Sequence, residues 1–262
     1  MHIITLTTDM GAGDPYLPAL KGWLSQNAPQ ANVVDINHQI SRCDMEQAAY
    51  VLAYAARYFP PETIHLVGIE EENADRFAGR PPYIVARMNQ QYFIARDHGL
   101  LSLMDMPLPA MVRSLEPDNA LFPLLEVAAP AACQILQGVL PEQTADANHE
   151  PFRRQAVQPT IGANYVQGLV IYIDHYGNAI TNIRREHLER MASQSGSLRI
   201  YYTSNDPIAG LSENYQDVPL GEHLALINSM GHVEIAVHGG SAYELMALRA
   251  DRKPSIIQIK RE

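Results

Sequence analysis

Between Ile3 and Ile69 the chain alternates short, β-branched apolar runs with longer stretches at helical spacing. No other feature constrains the fold as strongly. A strand–helix–strand–helix–strand order packs as a largely parallel sheet with helices on its faces. The strands are expected at Ile3–Thr7, Asn32–Ile36 and Ile64–Ile69. Leu17, Leu20 and Leu24 place a helix over Tyr16–Gln26. Asp44 reads as the N-cap of a helix over Met45–Tyr58, with Ala48, Val51, Leu52 and Ala55 as its apolar stripe and Pro60-Pro61 as its stop. Tyr83–Met88 and Gln91–Ala95 read as further strands around a tight Asn89-Gln90 turn, and Glu126–Leu136 as an alanine-rich helix.

The pattern changes after Gly138. A polar stretch, Glu142–Glu150, is followed by short strands at Gly168–Asp174, Ser197–Thr203, His223–Asn228, His232–Val237 and Ser255–Lys260, with one helix at Arg185–Met191. The expected organisation is an N-terminal α/β domain over 1–140, a linker over 141–160 and a smaller β-rich domain over 161–262.

Composition narrows the function. In 262 residues, 29 Asp+Glu outnumber 19 Lys+Arg, a formal charge of −10. That balance disfavours nucleic acid, whose phosphates need clustered cations, but it suits a cationic small molecule. No apolar run reaches the length needed to span a bilayer. The two cysteines, Cys43 and Cys133, fit a reducing compartment, so a cytoplasmic protein without a signal peptide is expected. The ten histidines form no HxxxH or HExxH pair and no cysteine joins them at ligand spacing, so no metal is expected.

Three clusters could carry chemistry. The first βα loop reads Thr7-Thr8-Asp9-Met10-Gly11-Ala12-Gly13-Asp14-Pro15-Tyr16. It lies where open α/β sheets bind ligands, and Asp9 could accept ribose hydroxyls. The alternative is that Asp9 and Asp14 cap the next helix, a role that Asp14, just before Pro15, suits better than Asp9. The loop is neither a dinucleotide fingerprint nor a phosphate loop. The second cluster runs from Tyr172 through Asp174, His175, Gly177 and Asn178 to Ile183. Asp174 and Asn178 could face a ligand amine or amide, or close a hairpin by side-chain-to-backbone bonds. The third, Ile227-Asn228-Ser229-Met230-Gly231-His232-Val233-Glu234-Ile235-Ala236, reads as a glycine hairpin whose Ser229 and turn N–H groups could hold a carboxylate.

Taken in order, these clusters resemble the S-adenosyl-L-methionine hydroxide adenosyltransferase family, which is related to the fluorinases and chlorinases. Thr7–Gly11 with Asp14-Pro15-Tyr16 and Lys21-Gly22 is similar to its opening motif, and Tyr172–Ile183 to its most recognisable one. Asn214-Tyr215-Gln-Asp217-Val-Pro-Leu-Gly221 and Ile227–Gly231 resemble its C-terminal signatures. The resemblance implies an α/β domain followed by a β-barrel, and a homotrimer with the site between one subunit's N-domain and a neighbour's C-domain. It implies displacement of methionine from C5′ of S-adenosyl-L-methionine by water or hydroxide, without a cofactor. Carried over, Asp9 holds the ribose, Asp174 and Asn178 meet the methionine amine and the adenosine, Tyr215 stacks on adenine and Ser229 binds the methionine carboxylate.

The hydrolytic members use an Asp, an Arg and a His near the attacking water, and here those places differ. Glu70 falls on the Asp position; Arg76 lies one residue short of the Arg position, in a stretch that also holds Asn73, a candidate ligand contact. Pro123 takes the His place, and Leu124 the place where a halogenase has a halide-holding serine. Cys43 stands where relatives often place an aromatic, and His98 where they usually have Asn. Glu70, Arg76 and His98 are therefore the candidate catalytic residues. Hydrolysis is the first reading, a non-catalytic binder of S-adenosyl-L-methionine or adenosine the second, and a halogenase the third, since a halide in a dry pocket needs donors that leucine lacks.

Overall fold

The computed structural model describes residues 2–70, 82–107, 109, 111–115, 120–139, 149–191, 196–202, 207–250 and 253–262. The chain divides into two compact units, Met1–Ala156 and Val157–Glu262. Among the described residues no helix is long and apolar enough to cross a membrane.

The first unit runs β1 (His2–Thr8), α1 (Tyr16–Asn27), β2 (Ala31–Asn37), α2 (Met45–Ala56), β3 (Ile64–Gly68), β4 (Tyr83–Met88), β5 (Gln91–Arg96), α3 (Leu100–Leu103), β6 (Met111–Leu115) and α4 (Ala129–Leu136). Its sheet has the order β2-β1-β3-β5-β4-β6. The first four strands in that order are parallel, and β4 runs antiparallel to both β5 and β6. Alternate side chains leave the sheet on opposite faces. Ile4, Leu6, Ile64, Leu66 and Ile94 meet α1 and α4, while Val67, Ile69, Phe93 and Ala95 meet α2 and α3. Each fully buried Leu or Ile contributes about 1.5–3 kcal/mol. Two-sided burial is the helix-covered, mostly parallel sheet that the alternation predicts.

Several elements depart in detail. Asp44 does cap α2, accepting from Gln47 N at 2.9 Å. The buried stripe, however, is Met45, Ala48, Ala49, Leu52, Ala53 and Ala56, with Val51 and Ala55 only half-buried. The helix also ends at Ala56 rather than Tyr58, because Tyr58 N and Phe59 N bond three residues back and tighten the chain before Pro60. The helix expected over Glu126–Leu136 opens instead as a π turn over Leu124–Ala128, with Ala129 N bonding Leu124 O. Pro130, which has no N–H for Glu126 O, accounts for the wider turn. Helix α3 and strand β6 have no counterpart in the sequence reading.

The second unit runs β7 (Thr160–Ile161), β8 (Tyr165–Ile173), β9 (Ala179–Arg184), α5 (Arg185–Arg190), β10 (Leu198–Tyr201), β11 (Ile208–Ala209), β12 (His223–Ile227), β13 (His232–Val237), α6 (Ala242–Leu245) and β14 (Ile256–Arg261). Strands β7, β9 and β11 go beyond the expected set. The order is β11-β10-β14-β8-β9-β13-β12, with β7 beside β8 and every ladder antiparallel. The two ends approach each other: Ser212 N bonds Ala225 O at 2.7 Å, and Ser212 bridges Leu226. The result is a nearly closed antiparallel barrel around Val166, Val170, Ile183, Ile200, Ile235 and Ile259.

Residues 149–156 of the expected linker belong to the first unit. They are tied to the loop after β5: His149 Nε2 lies 2.6 Å from Asp97 Oδ2, Phe152 N bonds Asp97 Oδ1, and Arg154 Nε bonds His98 O.

Candidate active site

In the first unit, chemistry gathers at the carboxyl ends of β1, β3 and β5, where a parallel sheet leaves a crevice. Asp9 N bonds Gly68 O, so the loop after β1 is held against the end of β3. The Asp9 carboxylate accepts from Cys43 N at 2.9 Å and from Glu70 N at 3.4 Å. It therefore ties together three loops rather than capping α1; the residue before that helix, Pro15, makes no side-chain cap either. Cys43 takes φ 60°, a left-handed conformation that an L-residue adopts at a cost, and this turns its N–H toward Asp9. Behind the loop, Thr8 Oγ1 lies 2.9 Å from His38 Nδ1, and His38 Nε2 lies 3.1 Å from Asp35, which also binds Lys21. Burial works against the Asp35 charge, but the bonds from Lys21 and His38 outweigh it and hold the carboxyl below its ordinary range.

Glu70 follows β3, its side chain 44% exposed. Arg96 Nε lies 3.5 Å from both of its carboxylate oxygens. The Arg96 side chain is 1% exposed, and its guanidinium sits 4.9 Å from the Tyr83 ring centroid. A buried guanidinium is costly unless paired and stacked, so this one is fixed in place. A solvent-accessible carboxylate at the mouth of the crevice is thereby backed by a buried cation. Arg96 is a residue the sequence reading missed. The signal was a charge closing an otherwise apolar strand, Gln-Tyr-Phe-Ile-Ala-Arg.

His98 is buried, and its Nε2 lies 2.9 Å from Ile69 O. The described geometry turns this nitrogen to the main chain one residue before Glu70. Leu124 belongs to the core, 1% exposed, against Gly68. Asn73 and Arg76 lie outside the described residues. Among the described residues no group of three or more His, Cys, Asp or Glu is arranged to hold a metal ion.

In the second unit, the three C-terminal motifs converge on one side of β9, β12 and β13. Asp174 accepts from Tyr176 N at 2.9 Å, Asn178 N at 2.8 Å and Asn178 Nδ2 at 3.0 Å, so this segment closes the β8–β9 turn with its own side chains. Gly177 has φ 81°, and a Cβ there would lie 2.1 Å from Ser241 Oγ, so only glycine fits. Tyr215 stands in a one-turn 3-10 segment bounded by Asn214 and Asp217, and its hydroxyl donates to Glu234 Oε1 at 2.6 Å. Asn228 Nδ2 donates to Glu234 Oε2 at 3.2 Å. Asn228 Oδ1 accepts from Met230 N and His232 N, which shapes the turn that presents the exposed Ser229. Glu234 is 4% exposed. Burial pushes its carboxyl up, the bonds from Tyr215 and Asn228 pull it back, and the Asp174 charge adds to the rise. The Tyr215 phenol is pushed well above its ordinary range by burial and by its bond to Glu234. Glu234 lies within the third sequence cluster, which gives it no role, although a lone acid inside His-Val-Glu-Ile-Ala-Val is conspicuous.

Comparison with known proteins places these clusters in context. Residues 4–145 match the SAM hydroxide adenosyltransferase N-terminal domain and residues 168–253 its C-terminal domain. An (R)-S-adenosyl-L-methionine hydrolase of Thermus thermophilus is 28% identical over 95% of this chain and 97% of its own length. One from Salinispora arenicola is 29% identical over 94% of each. A fluorinase of Nocardia brasiliensis is 25% identical over 91% of each. A solved structure of a conserved protein from Thermotoga maritima superposes over the whole of both chains with a TM-score of 0.82 at 24% identity, a likeness of fold. One of a conserved hypothetical protein from Thermus thermophilus gives 0.75 at 26%, again over both whole chains.

Proposed function

The chain belongs to the SAM hydroxide adenosyltransferase family, and from that premise we propose that it hydrolyses S-adenosyl-L-methionine to adenosine and L-methionine. Water attacks ribose C5′, the C5′–S bond breaks, and its electron pair returns to sulfur. The sulfonium leaves as a neutral thioether, so no acid is needed to neutralise the leaving group. The surplus proton of the water passes to a carboxylate or to solvent. Such a displacement gains mainly from in-line positioning and from stripping bulk water from the nucleophile.

The observation that carries this reading is the grouping of Asp9, Glu70 and Arg96 at the carboxyl end of the parallel sheet. In our reading Glu70 orients the attacking water and receives its proton, with Arg96 fixing the carboxylate. Asp9 holds the ribose hydroxyls. His98 secures the Ile69–Glu70 peptide from below rather than touching water. Asp174, Asn178, Tyr215 and Ser229 bind the methionine amine, the adenosine, the adenine face and the methionine carboxylate. Asn73 and Arg76 stay in the proposal as further contacts. So do a homotrimer with ligand shared between neighbouring subunits, and a cytoplasmic setting. The buried, apolar Leu124 disfavours a halogenase.

A non-catalytic binder is the second reading, favoured by Pro123 at the family's histidine place. One experiment separates the two. Purified protein is incubated with S-adenosyl-L-methionine without added halide, and adenosine and methionine are followed by chromatography. Equimolar products beyond one turnover are expected. In Glu70→Gln the rate falls about a hundredfold or more while the dissociation constant for S-adenosyl-L-methionine holds. An unchanged rate removes Glu70 from the mechanism. Calorimetric binding with no product from the wild type establishes the binder.

A further inference from the structure

We propose that Glu234 is a positioning residue that sets the distance between the two ends of the ligand site in the second unit. It rests on the reading of Tyr215 as the adenine platform and of Ser229 as the carboxylate contact. The sequence motifs give Glu234 no role; the fold does. On β13, Val233 and Ile235 face the barrel core. The alternate positions face outward, where Leu224, Leu226, Ala236 and Val218 form a small second apolar cluster. Glu234 lies on that outward face, paired across the ladders with Leu226 on one side and Ile180 on the other. A buried carboxylate in an apolar setting is retained only when both oxygens are satisfied.

Its two oxygens go to different ends of the proposed site. Oε1 takes the Tyr215 hydroxyl and Oε2 takes Asn228 Nδ2. Asn228 cannot rotate its amide without losing its bonds from Met230 N and His232 N. The Tyr215 ring and the Asn228–Ser229 turn are thus spaced by a single rigid carboxylate. An intact ligand that spans both ends meets a preset distance, whereas adenosine and methionine each meet half of it.

The test measures dissociation constants for adenosine and for L-methionine separately, and kcat and KM for S-adenosyl-L-methionine, on the full chain. Glu234→Ala is expected to weaken both products about threefold to tenfold and to raise KM by more than either, with kcat within about twofold. Tyr215→Phe keeps the ring but loses the link, and should weaken adenosine alone. Asn228→Ala should weaken methionine alone. Glu234→Gln can still accept from Asn228 through its oxygen and donate to the tyrosine oxygen through its amide, so it should restore both constants. If Glu234→Ala fails to fold, the two single-link variants and Glu234→Gln decide the matter. The proposal is overturned if Glu234→Ala shifts neither constant or only one, if Tyr215→Phe and Asn228→Ala each weaken both products alike, or if Glu234→Gln behaves like Glu234→Ala, which would make charge rather than spacing the cause. If the wild type binds neither product, the underlying reading of the site falls, and this proposal with it.

Discussion

His65 shows how a single side chain sets a pH response. It is fully buried on β3, with Nδ1 2.7 Å from Thr5 Oγ1, Nε2 facing Gln91 Oε1 and its ring stacked on Phe93. Burial pushes its pKa down to about 4, partly opposed by Gln91. The unfolded chain would bind a proton near pH 6.5, and the folded one resists until about 4. The stability this confers is therefore complete above 6.5 and lost as pH falls through that window, about 3 kcal/mol in all. Urea unfolding at pH 7 and at pH 4 should show that loss in the wild type, and a smaller one in His65→Gln. Residues of this kind were hard to read from sequence for a topological reason. Arg96 and Glu70 meet because β5 pairs directly with β3 while β4 lies beyond it. Chain order alone puts β4 between them. Asp9 was easier, because its loop follows the first strand of the sheet, where ligand loops belong.

At the level of elements, legibility follows how local the determining contact is. The β4–β5 hairpin was read correctly because Asn89 and Gln90 carry its turn in themselves, with φ 48° and 61°. A glutamine at positive φ is strained, and its side chain is exposed. Gln90→Gly should therefore raise stability by about 1 kcal/mol, read as a higher thermal midpoint, with the bond from Glu62 N to the residue-90 carbonyl kept. By contrast, which stripe of α2 is buried depends on how the helix meets Ile84, Ala86 and Phe93, and spacing within the helix leaves that rotation open. Strands of two residues such as β7 and β11 have too few side chains to show a period, and they exist only because β8 and β10 are there to pair with them.

For the whole molecule, the proposed homotrimer makes a sharp demand. Sedimentation should give a particle three times the 29.1 kDa chain mass. If the ligand is shared between neighbours, Asp9→Ala and Asp174→Ala chains should each be inactive alone. Unfolded together and refolded as a mixture, they should recover a fraction of wild-type turnover, since some shared sites then draw both intact residues. Recovery of nothing, with both variants assembled, would place each site within one chain. The lacing of Ser212 to Ala225 bears on how the second unit lives among other proteins. A sheet with bare rims is a template on which any extended segment can be laid down. A cylinder whose first and last staves are tied even at one point leaves a wandering chain fewer places to start, so this closure blunts the second unit as a seed for fibrils.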